Sequence, residues 1–198
     1  MSVRQSLLAI LDQGPCYGYQ LRHEYDRRTG ATSSLNVGQI YNTLERLERD
    51  GLVRRGDADE HGHVYWHITA DGSTEAARWL ASPVVHGTTG RDELAVKLAV
   101  AATLPGVDVG SVIRVQRVAS VEQWEALRRE RRDNDAADTP EGLAWSLVID
   151  RMIFAAEAEV HWLDDAEKRI AQHPSHVLAL ELTTERPKRG RPARSAAA

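Results

Sequence analysis

Apolar and polar side chains alternate along residues 35–56, first with the period of a helix and then with that of a strand. One apolar set recurs at steps of three and four, which places it on a single side of a 3.6-residue helix: Val37, Ile40, Leu44 and Leu47. The nearly opposite side carries amides and guanidiniums, from Gln39, Asn42, Arg46 and Arg49. Such groups read base edges in a major groove and bind phosphates. The pattern therefore predicts a helix that buries one face and reads DNA with the other.

The segments around this helix predict a small domain of helices and one hairpin. Their periodicity and their Gly and Pro stops indicate, in chain order, helices over Val3–Gln13, Tyr17–Thr29 and residues 37–50, strands over Leu52–Gly56 and Val64–Ile68, and a helix over Ala70–Ala81. Asn36 is a suitable N-cap for the third helix, Gly51 a suitable stop, and Thr69 a cap for the fourth. This order within residues 1–82 predicts a winged helix-turn-helix domain, whose wing is the hairpin.

The rest of the chain is predicted to be helical, apart from a connector at residues 83–90 and an extension at residues 174–198. Helices are expected over Asp92–Leu104, Val107–Arg132 and Pro140–Gln172. The last carries a nearly heptad apolar stripe of Trp145, Ile149, Met152, Ala156, Leu163, Ala166 and Ile170. Three helices are too few to bury so much apolar surface, so residues 91–173 are predicted to form a dimerisation and effector domain of a homodimer. The predicted fold class is mainly α with a small β-hairpin.

The distribution of charge changes what the net charge suggests. A net charge of −4 argues weakly against a DNA-binding protein. Residues 183–198, however, hold five basic and one acidic side chain, whereas residues 1–182 hold 20 basic and 28 acidic ones. A basic tail on an acidic body is typical of a nucleic-acid arm.

Composition and motifs exclude several classes of function. A single cysteine excludes an internal disulfide and favours a cytoplasmic protein, associated with the nucleoid if it binds DNA. Residues 1–13 lack the features of a signal peptide, and no stretch approaches the roughly 20 apolar residues of a membrane span. The chain has no phosphate-binding loop, no nucleophile with a nearby base and no metal-ligand set, so we expect neither an enzyme nor a cofactor.

Three segments resemble the PadR family of bacterial transcriptional regulators in the order and spacing of their residues. They are QSLLAILDQGPCYGYQLRHEYDRRTG, LNVGQIYNTLERLERDGLVRR and VYWHITADG, within residues 3–82. The resemblance implies a homodimeric winged-helix repressor that binds inverted repeats near a promoter. It also implies that a small, often aromatic or drug-like molecule releases the protein from DNA. The helical half is similar to the family's C-terminal dimerisation region only as an architecture.

The wing departs from the family's pattern. The family usually carries a basic run near the second strand, whereas residues 57–63 of this chain read DADEHGH. Carboxylates are repelled by phosphates, so the wing is expected to contact DNA only if His61 and His63 are protonated there. Arg54 and Arg55 of the first strand face opposite ways, so at most one of them points at DNA.

The other candidate DNA contacts lie on the second and third helices. Gln39, Asn42 and Arg46 are predicted to read bases, because the amides form paired bonds with adenine and Arg with guanine; the alternative is a merely solvated face. Ser34 and Asn36 are candidate phosphate contacts, because the N–H groups at the start of the third helix attract a phosphate. For Asn36, plain capping of the helix is an equally good interpretation. The phosphate candidates that remain are Tyr41 and one of the pair Tyr17 and Tyr19, the other facing the core.

The sequence Arg189-Gly190-Arg191-Pro192 in the tail resembles the core of an AT-hook. A glycine between two arginines lets an extended backbone enter the minor groove, and the narrow A·T groove concentrates negative potential on both guanidiniums. Lys188, Arg189 and Arg191 are therefore predicted to contact DNA. Because the motif is short, a generic basic tail that adds phosphate affinity and salt dependence is the favoured interpretation.

The tryptophans of the helical half have two interpretations. Core packing is the default for Trp124, Trp145 and Trp162, whereas a flat effector between dimer helices would stack first on Trp145 and Trp162. The wing histidines lack the ligand set of a metal site, and Cys16 lacks an adjacent basic residue that would favour redox sensing, so solvation and packing are the favoured roles.

These observations predict a sequence-specific transcriptional regulator. The main hypothesis is a homodimeric, ligand-responsive repressor, whose partners are double-stranded DNA and a small aromatic or drug-like effector. The alternative is an architectural or activating protein that uses its basic tail on A·T-rich DNA and has no small-molecule effector.

Overall fold

The computed structural model of the chain describes residues 2–30, 35–84, 93–134, 139–173 and 179–183. Its elements in chain order are α1 (Ser2–Leu11), β1 (Cys16–Tyr17), α2 (Gly18–Thr29), α3 (Val37–Arg49), β2 (Val53–Ala58), β3 (Val64–Ile68), α4 (Ala70–Ala81), α5 (Glu93–Thr103), α6 (Val109–Asp133) and α7 (Pro140–Ala171). Within these ranges no helix has the length and apolar character to cross a membrane.

The predicted fold class is confirmed, with one strand that the sequence did not predict. β2 and β3 pair antiparallel and form the wing. β1 pairs antiparallel with the other edge of β3, where Cys16 lies opposite Trp66 and Tyr17 opposite Tyr65. Tyr17, predicted to open the second helix, lies in β1 instead, and α2 begins at Gly18. The sheet therefore ties the wing to the start of the helix-turn-helix.

Both ends of α3 and the start of α4 lie at the residues that predicted them. The Asn36 Oδ1 accepts from the Gln39 N–H at 2.8 Å, and the Gln39 Oε1 accepts from the Asn36 N–H at 3.1 Å. Such a capping box satisfies two otherwise unpaired donors of the helix. Gly51, at φ +75°, adopts the left-handed conformation that ends α3. The Thr69 Oγ1 accepts from the Gly72 N–H at 3.1 Å and caps α4.

By its internal contacts the chain divides into two compact units. The first combines Val3–Glu75 with the segment that starts at Glu181, and the second spans Ala76–Leu180. This division falls inside α4, so the predicted domain limits at residues 82 and 91 stay a prediction. It also assigns the part of the C-terminal extension that follows Leu180 to the first unit.

The core of the first unit lies between its three helices and its sheet. Its fully or almost fully buried apolar side chains come from α1, α2, α3, β2 and β3: Leu7, Leu8, Ile10, Leu21, Tyr25, Ile40, Leu44, Leu47, Val53 and Trp66. Burial of each such side chain is worth about 1.5–3 kcal/mol. The apolar stripe of α3 is therefore packed into this core. The packing fixes the rotation of the helix about its axis and leaves its polar stripe exposed to solvent.

The second unit packs α5, α6 and α7 around a separate core. Its central buried residues are Leu94, Leu98, Ala101, Val109, Val112, Ile113 and Leu163. Of the heptad stripe predicted along α7, Ile149 and Leu163 are buried within the unit, whereas Met152 is 45% exposed. A further set of α7 side chains is more than half exposed: Leu143, Leu147, Val148 and Phe154. The unit thus buries one face of α7 and leaves another apolar face on its surface.

Candidate nucleic-acid interface

The outward face of α3 presents two polar side chains, Asn42 and Arg46, to solvent. Both are exposed, one helical turn apart, on the side opposite the fully buried Ile40, Leu44 and Leu47. Among the residues that the structure describes, neither side chain forms a hydrogen bond or an ion pair. An amide and a guanidinium held in this way on a rigid helix are available to base edges. Their role as base readers stays a prediction, and the geometry suits it.

Gln39 shares this face but already has a structural role. Its side-chain carbonyl accepts from the Asn36 N–H in the capping box, so only its amide nitrogen is left to donate. Asn36 likewise uses its side-chain oxygen as the cap. A paired bond from Gln39 to adenine needs both amide atoms, so the Oε1 would have to use its second lone pair or give up its bond from the Asn36 N–H. Both stay predicted contacts, and Ser34 lies outside the described residues.

Tyr41 lies at the junction of α3 and α2. Its side chain is 36% exposed, and its ring covers Gly18, the first residue of α2. A Cβ atom at Gly18 would lie only 2.6 Å from the Tyr41 Cζ and 2.9 Å from its hydroxyl oxygen. The absence of a side chain at Gly18 therefore allows the ring to rest on the α2 N-terminus. The phosphate contact of Tyr41 stays a prediction, and the partial exposure of the residue is compatible with it.

The two tyrosines around the start of α2 have different environments. Tyr17 is only 7% exposed, whereas Tyr19 is 37% exposed. The Tyr17 ring stacks on His63 at 4.5 Å between centroids and meets Tyr65 edge-on at 5.6 Å. Of this pair, predicted to have one inward member, Tyr17 is the inward one. Its burial corrects its selection as a DNA contact and leaves Tyr19 available for that role.

The wing turn is organised by one carboxylate. Asp59 Oδ1 accepts from the backbone N–H groups of His61 at 2.9 Å and His63 at 2.8 Å, and its Oδ2 lies 3.3 Å from the His63 Nδ1. These N–H groups, foremost that of His63, hold the pKa of Asp59 below its usual value. Asp59 is therefore occupied with the turn, and His61 is left exposed at the tip. Contacts from His61 and His63 to DNA stay predictions.

The two arginines of β2 are distinguished by their partners. Arg55 has its guanidinium 4.8 Å from the Trp66 ring centroid and 3.5 Å from Glu48. Arg54 is exposed on the opposite side of the strand, across from His67, and its side chain has no partner among the described residues. Of the two, Arg54 is the one whose guanidinium is available to a phosphate, and the expectation that at most one of them points at DNA stays a prediction.

The predicted effector residues are not among those that line a cavity found in the described part of the second unit. Trp145 lies under the Arg131 guanidinium at 5.8 Å, and Trp162 is 40% exposed on α7. A cavity of about 670 Å³ lies elsewhere in this unit, lined among others by Leu104, Val109, Ile170 and His173. Effector contact by the two tryptophans stays a prediction. The described part of the chain contains no group of three or more potential ligands close enough to hold a metal.

Lys188, Arg189 and Arg191 of the tail lie outside the described residues. The structure does describe residues 179–183, which precede the tail in the sequence. Within this segment Glu181 and Thr183 form hydrogen bonds to α2, a contact that the sequence did not predict.

Comparisons with known proteins fit the two units. Residues 7–78 match the family described as "Transcriptional regulator PadR-like family", and residues 90–171 match the one described as "Virulence activator alpha C-term". A probable transcriptional regulator of Mycobacterium tuberculosis is 26% identical over 187 residues, which cover 87% of this chain and 99% of the relative.

Solved structures of PadR from Bacillus subtilis are also similar. The complex with operator DNA is 19% identical, covers 86% of this chain and 99% of its own, and has a TM-score of 0.40. The complex with p-coumaric acid is 19% identical, covers 87% and 97%, and has a TM-score of 0.38.

Proposed function

We propose, from the premise that residues 7–78 form a domain of the PadR-like family of transcriptional regulators, that the chain is a homodimeric repressor. It binds an inverted-repeat operator with one α3 in each of two successive major grooves, about 34–36 Å apart. A small aromatic or drug-like molecule bound in the helical unit releases it. The protein acts by binding and not as an enzyme.

The observation that carries this proposal is the pair Asn42 and Arg46. Both are exposed on a helix whose other side is locked into the core, and neither has a partner among the described residues. Free donors on a rigid element give sequence discrimination at low entropic cost, and each good paired contact is worth about 1–3 kcal/mol of discrimination. Tyr41, Tyr19 and Arg54 flank this pair as candidate phosphate contacts, which would fix its position on the duplex.

The exposed apolar face of α7 supports the homodimer. Leu143, Leu147 and Phe154 are each more than 60% exposed, and their spacing of four and seven residues places them on one side of the helix. A contiguous apolar surface of this kind marks an interaction site. In a two-fold dimer the same face meets itself, so two copies of α7 would cover each other.

The effector part of the proposal rests on the cavity and the tryptophans of the second unit. A flat apolar molecule would find either the 670 Å³ space near Leu104 and Ile170 or the exposed ring of Trp162. It could release DNA only by binding the DNA-free state more tightly. Titration of a small aromatic library, read by quenching of tryptophan emission and by loss of the DNA complex, tests this part.

A second candidate is an architectural or activating protein. Two observations support this candidate. The tail carries a basic run from Arg186 to Arg194, and the family that matches residues 90–171 is described as a virulence activator region. In that case the tail would direct binding to A·T-rich DNA and no effector would be involved. Deletion of residues 186–198 separates the two: loss of sequence preference supports this candidate, whereas lower affinity with preference retained supports the repressor.

The proposal is tested by footprinting the upstream region of the chain's own gene at several salt concentrations. We expect protection of two half-sites related by a two-fold axis, with centres one helical turn apart. Uniform protection without half-sites would contradict operator-specific binding. Transcription in vitro from the same fragment then distinguishes repression from activation.

A further inference from the structure

The C-terminal segment Glu181–Thr183 docks on α2 of the DNA-binding unit. Both backbone groups of Thr183 are used: its N–H donates to the Glu24 Oε1 at 2.9 Å, and its carbonyl accepts from the Gln20 Nε2 at 3.1 Å. One turn further along α2, Arg27 donates to the Glu181 carbonyl at 2.5 Å. Three bonds to the main chain of this three-residue segment, which we call the anchor, hold it along one side of the helix.

The contacts between the anchor and the rest of the unit, which we call the dock, are built around a buried carboxylate. Glu24 is fully buried and pairs with Arg28, which is itself almost fully buried, and with Arg27 at 2.8 Å. Burial alone would raise the pKa of Glu24, but the bonds from the Thr183 N–H and the two arginines outweigh it and lower the pKa. A buried charge is tolerated only when its lone pairs are satisfied. The Thr183 N–H satisfies one oxygen, so the anchor belongs to the structure of this site.

An apolar contact completes the dock. The Leu182 side chain rests against Gly14, where an added Cβ would lie 3.3 Å from the Leu182 Cδ1. Leu182 is half-buried there, so its burial adds to the main-chain bonds. The middle residue of the anchor therefore packs on the turn between α1 and β1, while its neighbours bond to α2.

The basic tail comes directly after the anchor in the sequence. The chain continues from Thr183 into TERPKRGRPARSAAA, which holds all five Lys and Arg residues of the extension. Fifteen residues reach at most about 50 Å when extended, which is ample to run along the DNA beside one half-site. In the helix-turn-helix motif the first helix, here α2, crosses the DNA backbone. If α2 takes this position, a tail that starts on it starts near the phosphates.

We propose that Glu181–Thr183 is a built anchor that fixes the origin of the basic tail on α2, so that the tail binds the DNA flanking the site read by the same unit's α3. The inference rests on the proposed DNA-binding function. Tethering raises the effective concentration of the tail at the flanking phosphates, and the gain depends on where the tether begins. Gln20, Glu24 and Arg27 thus act as positioning residues for a DNA contact that they do not themselves make.

The test is a double-mutant cycle between the anchor and the tail. The full-length protein and a form ending at Thr183 are each prepared with the wild-type dock, with Gln20→Ala, and with Thr183→Pro, which removes the anchor N–H. His23→Ala, at an exposed position of α2, is the matched control. Affinity for the footprinted operator is measured between 50 and 200 mM salt, and thermal unfolding verifies that each variant is folded.

Three results are expected. Removal of the tail lowers operator affinity at least about tenfold at 50 mM salt and lowers the salt slope by about 0.9 for each phosphate that the tail neutralised. The two dock variants lower both quantities in the full-length protein by part of that amount. In the shortened protein the same variants change neither, because the tail that they position is absent.

The contrary results separate this inference from the proposed function. Three results would overturn the role of the anchor while operator binding stands. The dock variants could change operator affinity equally with and without the tail, or not change it in a protein whose tail does contribute to affinity. Removal of the tail could also leave operator affinity unchanged. If no form prefers the operator over random DNA, the proposed function fails and the anchor fails with it.

Discussion

The ring of Tyr41 rests on the Cα of Gly18, so that a Cβ at Gly18 would come within 2.6 Å of the Tyr41 Cζ. This contact joins the start of α2 to the outward edge of α3, the two helices of the helix-turn-helix. Tyr41 is held in a partly exposed position at their junction because the residue beneath it has no side chain. The predicted phosphate contact of Tyr41 thus depends on a glycine 23 positions earlier in the sequence.

Gly18→Ala should displace the Tyr41 ring and weaken DNA binding without unfolding the protein. The far end of the ring can swing outward, so we expect the free energy of unfolding to fall by only about 1 kcal/mol. Operator affinity should fall as far as it does in Tyr41→Ala, and the double variant should be no weaker than Tyr41→Ala alone. Additive losses in an anisotropy titration would show that the two residues act separately. Tyr41→Phe keeps the packing and isolates the hydroxyl.

Gly72→Ala should destabilise the first unit much more. Gly72 is buried in the first turn of α4, where an added Cβ would overlap the Leu52 carbonyl oxygen and lie 2.7 Å from the Ile68 Cγ1. The Leu52 carbonyl belongs to backbone that also accepts from the Thr69 N–H at 3.0 Å, so it cannot move freely. We expect a loss of about 2–3 kcal/mol in urea unfolding. Gly38→Ala, whose Cβ would meet only the Asn36 Oδ1 at 3.3 Å, should stay within about 1 kcal/mol of wild type.

The Cys16 thiol should be inert in the folded protein. It is fully buried, and burial, with a smaller contribution from Glu24, raises its pKa to about 12. A thiol reagent at pH 8 should therefore modify no cysteine until denaturant is added, and then one per chain. Rapid modification of the native protein would contradict this assignment and support a redox role.

The same raised pKa fixes the sign of a pH effect on stability. Above pH 9, the usual pKa of the thiol, the unfolded state releases the proton while the folded state keeps it. The contribution of the Cys16 thiol to the free energy of unfolding is therefore fully present below pH 9 and is lost as the pH rises towards 12. In Cys16→Ala this part of the alkaline decline in the free energy of unfolding should be absent.

Leu147→Asp together with Phe154→Asp should convert the proposed dimer to a monomer. Both side chains are more than 60% exposed on α7, so the substitutions leave the core of the unit intact but place charges in a self-contacting apolar face. Sedimentation at micromolar concentration should give the monomer mass. Gln123→Asp, at an exposed position of α6, is the control and should remain dimeric. A dimeric double variant would place the interface elsewhere.

Local signals in the sequence were sufficient for the seven helices, the two wing strands and several of their ends. The apolar stripe of α3, the Asn36 cap and the Gly51 stop are properties of a few neighbouring residues, and each is found as predicted. The limits of α4 were also predicted to the residue, because Thr69 is both the last position before the helix and its cap.

Three features that the sequence did not predict, namely β1, the burial of Tyr17 and the anchor, depend on long-range contacts. β1 has only two residues, too few to show a period, and exists through its pairing with Tyr65 and Trp66. The burial of Tyr17 results from that pairing. The anchor at Thr183 meets Glu24 159 positions away, and nothing in the local sequence of either residue indicates the other. The one local signal available was the Asn36-x-x-Gln39 spacing of a capping box, which predicts that Gln39 is partly occupied.

The most direct test of the central claim, that α3 reads a specific DNA sequence, is competition binding of Asn42→Ala/Arg46→Ala against the footprinted operator and random DNA. Glu45→Ala, exposed on the same helix, serves as the control. We expect the double variant to remain dimeric and folded and to keep its affinity for random DNA within a few-fold. It should lose at least about thirtyfold of its preference for the operator, because two base contacts at about 1 kcal/mol each are worth about 2 kcal/mol. A preference equal to that of the wild type would contradict the assignment of α3 as the recognition helix.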